Sequence, residues 1–173
     1  DGTKGPLAPY LGSTKAIRAC PSFARFRTDS AANAFEAACG GYGYNATGVG
    51  SETYLWGLSL RAIERGMPPG AIRDPARTVM FTDTAFPQPY GSSPTYLIEY
   101  SFAEAYHWVF SPGTESGYRA DPSIHFRHRG RANVVWCDGH VSAETLETRA
   151  EDHFSRWEIG WFGPPDNSLF DPY

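Results

Sequence analysis

The chain has 173 residues, a length that suits one ordinary domain and can bury a sizeable core without covalent staples. Its 15 Lys and Arg against 19 Asp and Glu give a formal charge of -4, which argues against a nucleic-acid binder working through a basic face. With 41% hydrophobic residues disorder is not expected, yet no apolar run approaches the roughly 18 residues of a membrane span.

The first residue is Asp1 and no secretory signal is legible, so a processed or trimmed chain is expected. Residues 1–19 read as a loop-rich entry through Gly2, Gly5, Pro6 and Pro9. Residues 29–39 predict a short helix, capped by Asp29 or Ser30 and stopped by Gly40-Gly41. The cysteines Cys20 and Cys39, close in sequence and flanked by turn residues, predict a disulfide. It would close a loop of about 20 residues, worth on the order of 3 kcal/mol, and would imply an oxidising compartment. The alternative is three buried thiols in a cytosolic protein. Cys137 sits in an apolar run and reads as a buried thiol; the lack of a CxxC pair argues against a zinc ribbon.

The stretch GYGYNATGVG at 41–50 has neither the GxGxxG spacing nor the lysine of a phosphate loop, so Tyr42 and Tyr44 are expected to pack or to touch a neighbour. Residues 53–65 predict an amphipathic helix, with Trp56, Leu60 and Ile63 on one stripe and Gly66, Pro68 and Pro69 ending it. Strands are expected over 76–84 and 95–103, with a loop between. Three more are expected over 123–129, 132–137 and 140–146. The turns fall at Gly130 and at Asp138-Gly139, the latter suiting a two-residue type I′ turn. Together these three predict an antiparallel meander, followed by an aromatic, turn-rich tail.

Within HRGRANVVWCDGH (128–140) the question is metal, catalysis or architecture. Strand alternation puts Ile124, Phe126 and His128 on an apolar inward face, with His125, Arg127 and Arg129 facing solvent or a partner. His128 would then hydrogen-bond a buried polar group. Asp138 lies a strand away, roughly 16–17 Å at about 3.3 Å per residue, too far to share an ion or a proton with His128. The motif therefore reads as architecture. His140 beside Asp138 could join Asp83 or Glu144 around a metal, but nothing in the sequence fixes that set. Arg127, Arg129 and Arg131 read as a solvated hairpin tip. No GxSxG or HExxH pattern is present.

His128, nine residues, then Asp138-Gly139 resembles the H-X9-DG signature of bacterial prepilin-type, pseudopilin-like proteins. GPLAPYLGSTKAIRACPS, the Tyr42-Gly43-Tyr44-Asn45 element, TVMFTDTA and the ending GWFGPPDNSLFDP also resemble segments of that family, so the likeness runs over residues 7–171. Family members carry a basic leader, a peptidase site and a long apolar N-terminal helix. This chain begins about where their globular head does. The resemblance implies an α+β fold: one pilin-like head over 1–173, an antiparallel meander with short helices and long loops. It implies a non-enzymatic structural subunit of a type II secretion or type IV pilus-like assembly, outside the cytoplasm, anchored through the helix when that is present. Partners would be like subunits, as a homo-oligomer or filament, or secreted cargo. Tyr42, Tyr44, Trp161 and Phe162 are the candidate contact aromatics. No cofactor is expected, although some related pseudopilins bind calcium in a C-terminal loop, where Asp166, Asn167 and Asp171 could offer oxygen ligands. Two rival readings are an extracellular carbohydrate-binding module, from the aromatic content, and a metal-dependent hydrolase using Asp83, Asp138 and His140.

Overall fold

β-Branched and aromatic residues between turn formers set the architecture, which the computed structural model describes for residues 19–26, 39–89, 94–150 and 152–173. In chain order the elements are β1 (Tyr42–Tyr44), α1 (Thr53–Trp56), α2 (Leu60–Ile63), β2 (Val79–Asp83), β3 (Phe86–Gln88), β4 (Tyr96–Ile98), β5 (His107–Ser111), β6 (Thr114–Arg119), β7 (Ile124–His125), β8 (Arg131–Trp136), β9 (Val141–Thr145), β10 (Thr148–Arg149), α3 (Asp152–Ser155) and β11 (Ile159–Trp161). Among the described residues the pairs of named strands are antiparallel and each α-helix is a single turn, an α+β arrangement. The main sheet has order β1-β2-β8-β9; a second has order β10-β11-β7; β3-β4 and β5-β6 form two hairpins.

Alternation along β8 shows how the main sheet is seated. Ala132, Val134 and Trp136 point inward, while Arg131 and Asn133 point out. The inward row packs on Val79, Ile124, Phe126, Trp161, Phe162 and Phe170. A second cluster gathers Cys20, Phe23, Phe86, Leu97, Phe154 and Ile159. A smaller one joins Tyr54, Met67 and Val109.

The glycine-rich loop after β1 is a packing device. Asn45 is fully buried; its Nδ2 donates to the carbonyls of Val79 and Phe170, and its Oδ1 accepts from the Gly48 N–H. A Cβ on Gly48 would collide with the Phe170 carbonyl, so only glycine lets the C-terminal tail lie this close.

Several expectations need correction. The single helix over 53–65 is instead two separate turns, because Gly57 takes φ 72° and passes close to the Phe110 carbonyl. The 3.6-residue period is broken there. The expected core stripe faces solvent, with Trp56, Leu60 and Ile63 62%, 77% and 51% exposed, and Tyr54 is buried instead. Of the strand expected over 95–103, Tyr96–Ile98 pairs with β3, and Phe102 makes a single parallel bridge to Tyr44. The predicted helix over 29–39 lies outside the described residues, apart from Cys39.

The meander is also redrawn. β8 and β9 form the expected hairpin, but the strand over 123–129 shortens to Ile124–His125 and pairs with β11 in the other sheet. The type I′ geometry expected at Asp138-Gly139 is found at Gly130 instead. Arg129 and Gly130 take φ 60° and 77°, and the His128 N–H bonds the Arg131 carbonyl at 2.9 Å, as in a two-residue type I′ turn. At the other end Trp136 pairs with His140 around three residues, and among those only Gly139 has positive φ (92°). That is a three-residue turn ending in a left-handed glycine, not the expected type I′.

Candidate functional site

The aspartate that ends β2 organises the most connected polar cluster. Asp83 is completely buried. One carboxylate oxygen accepts from the Arg127 guanidinium at 2.5 Å. The other accepts from the Asn133 N–H at 2.7 Å and meets His128 Nε2 at 3.1 Å. Arg127 is itself buried, against the expectation of a solvated hairpin tip. Its remaining N–H groups reach the Gly41 carbonyl at 2.6 Å, the Thr84 carbonyl at 3.2 Å and the Cys20 sulfur at 3.3 Å, and it lies over the Phe23 ring. A buried guanidinium needs a counter-ion and several acceptors, and both are supplied here.

His125 was expected to face solvent and is instead fully enclosed, because Phe23 and Phe26 cover its ring. Burial, then the positive charge of Arg127 and Arg25 and the neighbouring His128, push its pKa down to about 3. The ring is therefore neutral, with Nδ1 3.4 Å from Arg127 as acceptor. Alternation fails along 124–127 because the segment leaves β7 for a turn and is covered on every side. His128 is the partly exposed member of the run and does bond a buried polar group, the carboxylate of Asp83.

The expected Cys20–Cys39 bridge is absent: Cys20, Cys39 and Cys137 are all thiols. The Cys20 sulfur is turned toward Arg127 and toward His128 Nε2 at 3.6 Å. The Tyr42 phenol meets the same sulfur; burial first, then Cys20 and Asp83, raise its pKa. Tyr42 was expected only to pack or to touch a neighbour, yet it belongs to this cluster.

The second half of the motif lies beyond the far end of β8 and works locally. Asp138 Oδ1 accepts from the His140 backbone N–H at 3.0 Å and from its ring at 2.7 Å; these bonds lower the Asp138 pKa. The His140 ring stacks on Trp136. Asp83 is engaged near the start of β8, whereas Asp138 and His140 follow its end, so the set Asp83, Asp138 and His140 does not converge. Glu144 is occupied by Ser142 at 2.6 Å. His128 and Asp138 likewise keep separate partners.

The remaining candidates also move. Trp161 and Phe162 are buried in the core rather than offered to a partner, since β11 is covered by Tyr106, Trp136 and Arg119. Asp166 and Asp171 cap the N–H groups of Ser168 and Tyr173. Asn167 is buried, bonded to the His107 backbone and the Tyr54 phenol. The bonded oxygens of these three residues serve separate local contacts.

Two surface features stand out among the described residues. On the outer face of the main sheet the pairing register lines up Tyr44, Phe81, Val135 and Val141, one from each strand. Phe81 is 37% and Val141 63% exposed. Separately, Leu58, Ile63, Phe102, Trp108 and Phe110 line an apolar groove of about 510 Å³. Among the described residues no helix is long and apolar enough to cross a membrane. Comparisons with protein-family models, with curated proteins and with solved structures each return no match.

Proposed function

We propose that the chain is the globular head of a pseudopilin-like structural subunit, built to dock an apolar helix and like subunits rather than to catalyse a reaction. The observation that carries this reading is the apolar row Tyr44, Phe81, Val135 and Val141 across the four strands of the main sheet, of which Phe81 and Val141 are exposed and Tyr44 and Val135 half-buried. A soluble face has little reason to align aromatic and β-branched side chains across every strand, whereas a face that receives a helix does. The H-X9-DG residues support it by their roles. His128 fastens the β7–β8 turn to Asp83, and Asp138-Gly139 shapes the β8–β9 turn; each is a structural task.

The test uses the complete reading frame expressed in a bacterium with a prepilin peptidase. Inner-membrane anchoring, processing and subunit cross-linking are expected. The double substitution Phe81→Lys and Val141→Lys should abolish cross-linking while the isolated head keeps its far-UV circular dichroism. Absence of anchoring and processing in the wild type, or cross-linking unchanged in the double variant, would count against the reading.

A second reading, an extracellular carbohydrate-binding module, draws on the half-exposed Trp108 and Phe110 beside the 510 Å³ groove. A glycan array that gives no binder removes it.

A further inference from the structure

His128 Nε2 faces two groups at once: the Cys20 sulfur at 3.6 Å and the Asp83 carboxylate at 3.1 Å. A catalytic relay would use the two ring nitrogens for the two neighbours, so this is not one. A single N–H donates well to one acceptor, so hydrogen bonding alone would leave the second approach a weak, shared contact. A shared ion accounts for both. Zinc lies about 2.3 Å from sulfur, about 2.0–2.1 Å from nitrogen and about 2.0–2.2 Å from carboxylate oxygen; at tetrahedral angles this puts sulfur and nitrogen about 3.6 Å apart and nitrogen and oxygen about 3.4 Å apart. The two contacts are close to those edges, and all three ligand atoms fall within 4.8 Å of one another.

We propose that Cys20, Asp83 and His128 form a binding site for a thiophilic divalent cation of the zinc class. The fourth position would be filled by water on the side where His128 and Tyr42 reach solvent. On binding, the Cys20 S–H bond breaks, its proton passes to solvent and a sulfur–metal bond forms. His128 supplies the Nε2 lone pair and keeps its proton on Nδ1. Asp83 supplies the oxygen that faces His128. The surrounding groups orient these ligands: Arg127 donates to the Cys20 sulfur and to the other Asp83 oxygen, and the Asn133 N–H holds the ligating one. The two anionic ligands outweigh Arg127, leaving one net negative charge for the ion to meet. The site would staple residues 19–26, β2 and the β7–β8 turn. It is independent of the assembly reading, because a head can dock with or without an ion.

The experiment titrates cobalt(II), then zinc, into the chelator-treated 173-residue chain and follows the near-ultraviolet sulfur-to-cobalt band. One saturable equivalent is expected, displaced by zinc. Cys20→Ser should abolish the band, while Cys39→Ser and Cys137→Ser retain it. His128→Gln should weaken binding at least about 10-fold. The partly exposed position of His128 makes that variant the safeguard should Cys20→Ser fail to fold. Lack of saturable binding to the folded wild type, or a band that survives Cys20→Ser, or binding unchanged in His128→Gln, would overturn the proposal.

Discussion

The two ends of β8 carry the two halves of one sequence motif, and they are held by opposite means. At the start of the strand, the buried ion pair of Arg127 and Asp83, joined by the partly exposed His128, forms a knot between segments far apart in the chain. At its end, the Asp138 and His140 side chains bond each other at the surface, beside a left-handed glycine, while their backbones are tied to Pro75 and Trp136. The same residue types therefore differ in worth according to burial. A charge pair in the interior has no water to fall back on, whereas an exposed pair exchanges one set of hydrogen bonds for another.

The sharpest way to break this comparison is Asp83→Ala. It strands the Arg127 guanidinium and frees the His128 turn, and a loss of about 3–5 kcal/mol is expected by urea denaturation. A loss close to zero would mean that the knot is not what holds this end.

A smaller effect comes from acid. The folded pKa of His125, about 3, lies below its ordinary value near 6.5. As pH falls below 6.5, the unfolded chain takes up a proton that the folded chain refuses, so stability falls with pH until about 3. The steepest slope from this group is about 1.4 kcal/mol per pH unit. Denaturation midpoints between pH 7 and 5 should show the decline, and His125→Phe should flatten it. A slope unchanged in that variant would assign the acid sensitivity elsewhere.

The smallest effect belongs to Asp138→Ala, which should leave the midpoint within the scatter of replicate measurements, since the local turn keeps Gly139. Should it instead match Asp83→Ala, the contrast between the two ends would fail.

The sequence made some of this legible and concealed the rest for physical reasons. The β8–β9 hairpin was readable because alternation and Asp-Gly are local signals, although the turn closes around three residues rather than two. Only three residues separate Trp136 from His140, so a one-residue shift in pairing changes the turn class. The apolar stripe over 53–65 does not make one helix because it runs through Gly57, where positive φ resets the register. The buried Arg127 was missed because charge in a hairpin normally points to water. One clue was available: a strand ending in aspartate, TVMFTD, must find a cation if that end is covered. His128 was correctly expected to hold a buried polar group, but which one depends on β2 lying beside β8, a long-range fact that no local pattern carries.

Asn45 has a consequence for how the chain matures on the ribosome. Its amide bridges to Phe170, 125 positions downstream, and the Val79 N–H bonds Leu169. Those bonds cannot form until Phe170 has been synthesised and has left the exit tunnel, so the loop around Asn45 completes its packing long after it is made. Contacts this distant in sequence slow folding, because loop closure is disfavoured before any contact rewards it.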